Sequence, residues 1–287
     1  MYVISLIAPP STLDPALVSS LQSAWGAAGD AVWLSPDEAA EFSVARRPGN
    51  LAEVQADLTE MGVDVNCIAA ANRRKTLLIA DMDSTMIDQE CIDELAAEAG
   101  VGERVADITA RAMNGELEFE EALLERVGLL KGLPVSIIDS VIEDRITLAK
   151  GGATLVRTMA RNGAYTALVS GGFVQFANRI GQRLGFHESR ANTLLEAEGR
   201  LIGDVALPIL GRDAKVQALK ELPPDHSLSI AVGDGANDLG MIGLAGIGVA
   251  LHAKPVVAAA APVRIDHGDL TALLFLQGYA RDEFAEG

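Results

Sequence analysis

The stretch Thr76–Glu90, TLLIADMDSTMIDQE, passes from an apolar run into an acidic one without transition. Leu77 to Ala80 read as a short strand buried on both faces, the pattern of an interior parallel strand. Asp81, Asp83, Asp88 and Glu90 then arrive within ten positions. Side chains two apart on an extended chain point the same way, so Asp81 and Asp83 face one direction. Like charges that close raise each other's pKa unless something positive intervenes. Two readings stand at this point, a solvated acidic loop and a site built to hold a cation.

The rest of the chain narrows the choice. Its 287 residues suit a main domain with an accessory one, and 49% hydrophobic residues with only 4% aromatic indicate an aliphatic core of sheets flanked by helices. A net charge of -17 argues against nucleic acid or an anionic membrane as partner. Cys67 and Cys91 have neither metal-ligand nor redox spacing and are too few for a disulfide framework, so a reducing cytoplasm is the default. MYVISLIAPP has no basic residue ahead of its apolar run and is broken by Pro9 and Pro10, unlike a signal peptide. The longest uncharged run, Asn162 to Asn178, holds Ser170, Gly171, Gly172 and Gln175 and makes a poor membrane span. Any self-association would be a homodimer, which the sequence leaves open.

Up to about Ala70 the pattern predicts a strand over Tyr2–Ile7, a helix over Pro15–Ala28, short strands near Val32 and Phe42, a helix over Leu51–Met61 and a strand over Val63–Ile68. This is a small α+β domain over residues 1–71, and ANRRK (Ala71–Lys75) reads as an exposed linker. Asp88 is placed to cap a helix that stops at Gly100, and the chain looks helical to about Lys150. That length exceeds an ordinary crossover, so residues from about 89 to 150 read as an inserted helical cap. Strands follow over Tyr165–Val169, Leu228–Val232, Ile247–Leu251 and Val263–Ile265, alternating with helices, and Thr193–Val205 reads as a β-hairpin around Gly199. Residues 72–287 thus form a doubly wound, mostly parallel, Rossmann-like α/β sheet with the cap inserted.

Ligands of such sheets bind beyond the carboxyl ends of the strands. Three polar clusters fall there: Asp81 with Asp83, then Ser170–Gly172, then Gly233–Asp238. Three acids in one crevice, Asp81, Asp83 and Asp234, favour a hard divalent cation with oxygen ligands, and magnesium fits few protein ligands plus phosphate and water. The glycines of VSGGF let backbone N–H groups approach an anion. Lys215, ahead of a helix, reads as a surface lysine when taken alone. Arg126 has no carboxylate three or four residues away and shares an apolar stripe with Phe119, so it either pairs with an acid elsewhere or awaits a ligand carboxylate. Glu90 sits in a first helical turn, where the helix dipole favours any acid. His187, His226, His252 and His267 show no ligand spacing and read as structural.

Taken together, DMDSTMIDQECIDELA, FEEALLERVGLLKG, LVSGGF, Lys215 and VGDGANDLGM occur in an order that resembles the haloacid dehalogenase-like superfamily of aspartate-nucleophile phosphotransferases, in its branch acting on O-phosphoserine. The resemblance covers about Thr76 to Gly278. It implies Asp81 as nucleophile, Asp83 as general acid and base, and a magnesium ion held by Asp81, Asp234 and the Asp83 backbone carbonyl. It further implies Ser170, Gly171, Lys215 and Asn237 at the phosphoryl group, Glu90 and Arg126 on the substrate's ammonium and carboxylate, and Met113 and Phe119 as apolar cap positions. Some members carry ACT-like modules, compatible with the ferredoxin-like strand order of residues 1–71. The loop APPSTLDP lacks the glycine usual at an ACT ligand site. A phosphatase of another small phosphomonoester and an amino-acid-sensing protein are the alternative readings. Because no site residue precedes Asp81, the N-terminal segment is expected to be dispensable for chemistry.

Overall fold

The computed structural model describes residues 1–113, 116–222 and 225–286, without the side chains of residues 112 and 113. The chain opens with β1 (Tyr2–Ile7), α1 (Pro15–Ala24), β2 (Val32–Ser35), β3 (Ala39–Val44), α2 (Leu51–Glu60) and β4 (Asp64–Ala69), a ferredoxin-like succession. Next come β5 (Leu77–Ala80), α3 (Cys91–Glu98), α4 (Gly102–Met113), α5 (Phe119–Gly128), α6 (Ile137–Asp144) and α7 (Gly152–Arg161). The chain continues through β6 (Tyr165–Phe173), α8 (Val174–Leu184), β7 (Glu188–Asn192), β8 (Leu194–Ala197), β9 (Arg200–Val205) and α9 (Arg212–Glu221). It closes with β10 (Ser229–Gly233), α10 (Leu239–Leu244), β11 (Ile247–Leu251), α11 (Pro255–Ala260), β12 (Val263–Ile265) and α12 (Ala272–Leu276). No helix among the described residues is long and apolar enough to cross a membrane.

The main sheet has the order β12-β11-β10-β5-β6-β7, and its β10–β11, β11–β12 and β6–β7 pairs are parallel. All four residues of β5 are buried, as its uninterrupted apolar run requires. The N-terminal sheet, β2-β3-β1-β4, is antiparallel. The chain falls into two compact units, Met1–Ile79 with Lys150–Thr166 and Leu219–Gly287, and Ala80–Ala149 with Ala167–Ala218.

In the first unit, Ile4, Leu6, Phe42 and Val65 of the antiparallel sheet pack on Val18 and Leu21 of α1 and Leu51 and Leu58 of α2. α1 starts where Asp14 accepts a hydrogen bond from the Ala16 N–H and Pro15 fixes the first turn. It stops at Ala24, short of the expected Ala28, because Gly26 turns the chain with a left-handed φ of 62°. The opposite face of the sheet is buried as well. Val3, Ser5 and Ile7 of β1 and Asp64, Asn66 and Ile68 of β4 are all shielded, with α12 beside β1 and β12 beside β4. The Asn66 amide donates to the Arg264 carbonyl at 2.8 Å and accepts from its N–H at 3.0 Å, doing for the edge of β12 what a neighbouring strand would.

The segment read as an exposed linker is anchored instead. Arg73 forms a bidentate pair with Glu41 and donates to the Leu276 carbonyl, while the buried Lys75 donates to the Ser227 carbonyl at 2.6 Å. Its backbone N–H meets the Gln277 side chain.

In the second unit, the passages into and out of the helical segment α3–α6 run side by side. Ile87 bridges Leu148, the Asp88 N–H donates to the Thr147 carbonyl, and Gln89 exchanges two hydrogen bonds with Thr147. Asp88 therefore does not cap α3; its carboxylate accepts from the Thr147 hydroxyl at 2.6 Å, and Glu90 holds the N-cap position. The expected hairpin is β8–β9.

Candidate active site

The turn after β5 is folded around one carbonyl: Met82 O accepts from the N–H groups of Thr85, Met86 and Ile87. That tight reversal requires Ser84 to adopt a φ of 54°, and its hydroxyl donates to Glu90 at 2.7 Å. Asp81 Oδ1 receives the Lys215 ammonium at 2.6 Å and the Met82 N–H at 2.8 Å. Oδ2 has no protein partner among the described residues. Both side chains of the ion pair are almost wholly buried, 2% exposed for Lys215 and 7% for Asp81. Lys215 does not precede its helix but lies in the first turn of α9, which turns it inward.

Asp83 accepts from the Cys91 N–H at 2.9 Å through Oδ1 and from the Ser170 hydroxyl at 3.1 Å through Oδ2. Burial raises its carboxyl to about 7 in the metal-free protein, with the negative charge of Glu90 adding to the effect and the Cys91 N–H opposing it. Burial and the same Asp83 push the Cys91 thiol up, so it stays protonated. β6 runs on through Ser170–Phe173 and α8 follows at once, so the VSGGF segment ends as strand, not as a loop. Ser170 Oγ accepts from the Gly172 N–H at 2.8 Å. A Cβ at Gly172 would lie 2.8 Å from Asp83 Oδ2, so only glycine admits this approach. Phe119 stands over the same strand, its ring edge 3.3 Å from where a Gly171 Cβ would be.

Arg126 resolves the two options left by the sequence. Its guanidinium donates to the Ala122 carbonyl at 3.1 Å and reaches Thr109 Oγ1 at 3.5 Å, and no carboxylate comes within ion-pair distance among the described residues. Burial lowers its pKa while Asp93 and Glu90 act on it through space in the other direction. A cation held this way, on the face shared with Phe119, retains donors for an incoming carboxylate. The Met113 side chain lies outside the described residues.

After β10, Asp238 is fully buried and accepts from the Gly235 N–H at 3.0 Å. A Cβ at Gly233 would collide with its carboxylate. Asn237 sits in the intervening 3-10 turn, Ala236–Asp238. Asp234 and Asp238 each bring one carboxylate oxygen within 4.8 Å of the other. Acids at that spacing can hold a metal ion, and an all-oxygen donor set fits a hard cation. The Asp83 carboxylate is not in this cluster. Asp238 was legible only as a member of the GDGAND run, and sequence reasoning did not single it out as a ligand. Asn192 carried no signal at all: buried, it donates to the Gly171 and Leu210 carbonyls and accepts from the Leu210 N–H, fixing the strand end that carries Ser170 and Gly171.

Comparison with known proteins places this geometry among relatives. The family model described as haloacid dehalogenase-like hydrolase matches residues 78–242, and a second of the same description matches residues 214–271. The chain is 47% identical over 200 residues to the phosphoserine phosphatase of Streptococcus thermophilus, covering 68% of this chain and 93% of that protein. To the phosphoserine phosphatase of Streptomyces coelicolor it is 40% identical over 257 residues, 86% of this chain but only 62% of the relative's length. Among solved structures, a HAD-family hydrolase from Salmonella enterica serovar Typhi is similar with a TM-score of 0.86 at 29% identity, covering 99% of this chain and 100% of that one. A substrate-bound phosphoserine phosphatase complex gives 0.65 at 39% identity over 70% of this chain and 97% of the other.

Proposed function

The chain belongs to the haloacid dehalogenase-like hydrolases, in the branch of the phosphoserine phosphatases, and from that premise we infer that it hydrolyses O-phosphoserine to L-serine and phosphate, the last step of serine biosynthesis. The observation that carries the reading is the pairing of the buried Asp81 with Lys215 beside an Asp83 raised to about 7. A carboxylate oxygen of Asp81 attacks phosphorus, forming an aspartyl-phosphate as the bond to the seryl oxygen breaks. Asp83 in its acid form gives that oxygen a proton, then, as a carboxylate, takes one from the water that cleaves the aspartyl-phosphate. The Lys215 charge, the Ser170 hydroxyl and the backbone at Gly171 face the phosphoryl oxygens, assisted by Asn237. Glu90 takes the substrate ammonium and Arg126 its carboxylate, with Met113 and Phe119 as the apolar wall.

The metal is read as magnesium, held by Asp81, Asp234 and the Asp83 carbonyl with Asp238 beside them; when bound it supplies positive charge against the phosphoryl oxygens. We keep residues 1–71 as an ACT-like module, residues 72–287 as the phosphatase domain and about 89–150 as its cap. The cytoplasm is the proposed location, in keeping with the free, buried Cys67 and Cys91, and a homodimer the proposed assembly. Turnover of a panel of phosphomonoesters, with and without magnesium, tests the reading. Magnesium-dependent release of phosphate from phosphoserine, well ahead of esters lacking the amino-acid moiety, is the expected result. Equal rates across the panel would move the substrate to another small phosphomonoester.

A further inference from the structure

We propose that Asp64, on the edge strand of the N-terminal sheet, is a positioning residue for the metal-binding Asp234, acting through the turn at residues 266–268, His252 and Lys254. The inference rests on the reading of Asp234 as a magnesium ligand.

Asp64 is 2% exposed, and every partner of its carboxylate is backbone. Oδ1 accepts from the Asp266 N–H at 2.8 Å, Oδ2 from the Gly268 N–H at 2.8 Å, and the His267 N–H points at both, 3.1 Å from Oδ2. Three successive N–H groups converging on one carboxylate fix the turn after β12 as a rigid unit, since releasing it would take the acceptor from all three at once, that of the buried Gly268 among them.

That turn in turn holds the segment after β11. The Gly268 carbonyl meets His252 Nε2 at 2.9 Å, and the His252 N–H donates to the Ile265 carbonyl at 2.8 Å. His252 adopts a left-handed φ of 45°, a conformation that side chain and backbone anchors together maintain. Two residues on, the Lys254 N–H donates to the backbone carbonyl of Asp234 at 3.2 Å. A path of hydrogen bonds, joined through the backbone of residues 252–254, therefore runs from Asp64 to the peptide that carries Asp234.

Holding that peptide matters because the Asp234 carboxylate lies within 4.8 Å of that of Asp238. Without a cation, mutual repulsion drives them apart. A backbone anchored from behind resists that relaxation and keeps the ligand set ready for metal; a loosened anchor lets Asp234 retreat, and the cation must then repay the difference in affinity. The phosphoryl-transfer chemistry itself is untouched, so the loss belongs in metal binding and not in turnover at saturating metal.

The test uses the full chain. Magnesium affinity is measured by titration calorimetry, and phosphoserine turnover is followed against magnesium concentration. Asp64→Asn and His252→Ala are each expected to weaken magnesium binding by about 5- to 30-fold, the range of one lost anchor. In both, kcat at saturating magnesium stays within about twofold of wild type. The double variant is expected to bind magnesium no worse than Asp64→Asn alone, because both residues act along one path. His252→Gln, whose amide can still donate to the Gly268 carbonyl, should restore the wild-type affinity. Unchanged magnesium affinity in His252→Ala, multiplied losses in the double variant, or a fall in kcat that magnesium does not recover would each overturn the proposal. His252 is exposed, so its variants carry the test if Asp64→Asn fails to fold. A wild-type protein that binds no magnesium would instead overturn the assignment of the metal, a distinguishable failure.

Discussion

Asp81 and Asp64 are both withdrawn from solvent, 5% and 2% exposed, and they are satisfied in opposite ways. Asp81 has a buried cation on one oxygen and no protein partner on the other among the described residues. Asp64 has both oxygens filled by backbone N–H groups. A carboxylate with an open oxygen beside a buried cation is arranged to react; one saturated by main chain is arranged to hold. The difference teaches that burial alone does not mark a functional acid, and that the pattern of partners does.

The most severe break in this comparison is Asp81→Asn. Turnover should fall below about a thousandth of wild type while cooperative melting persists, because the variant removes the nucleophile and keeps the shape. Substantial activity, with deamidation to Asp excluded, would end the covalent mechanism. Next in size is Arg126→Ala, expected to lower kcat/KM for phosphoserine by about 10²- to 10³-fold, and by less than about tenfold for a phosphomonoester without a carboxylate. Equal losses would assign Arg126 to the phosphate or to the structure. Removing residues 1–71 probes the other aspartate: the melting temperature should fall by about 10 °C or more, since the N–H groups of residues 266–268 and the edge of β12 lose their partners. A shortened chain that melts within about 2 °C of the full one would show that the segment adds little to stability, and its turnover of phosphoserine tests whether the segment is dispensable for chemistry.

The smallest expected effect is a titration. In the metal-free protein the Asp83 carboxyl should titrate near 7 by carbon NMR, and magnesium should move it down, because a cation favours the carboxylate. Its folded value lies above the reference of 3.8, so this group's contribution to stability is complete at low pH and is lost as pH rises towards 7. Asp83→Asn should flatten that slope in urea unfolding, and an unchanged slope would show that Asp83 is not the group titrating.

The sequence alone determined the acidic strand end, because a fully apolar strand followed by Asp-x-Asp leaves few local alternatives. The same local rules, strand periodicity and glycine placement, sufficed for the N-terminal succession of elements, the hairpin, and the converging polar clusters after β5, β6 and β10. Even the unpaired state of Arg126 was half visible in its helical neighbours. Where a helix ended was decided by a single turn residue, as Gly26 did for α1, and Asp88 was drawn away from the start of α3 by Thr147, nearly sixty residues on. Only the tertiary structure could make Asp64, Asn66 and Lys75 interior residues. Alternation of polar with apolar side chains along β4 reads as one wet face and one dry one, and nothing local says that residues 264–268 will cover the wet face. Periodicity reports which face of an element differs from the other; what lies against that face depends on chain some two hundred residues away, and the inward turn that pairs Lys215 with Asp81 depends on residues equally out of reach of local rules.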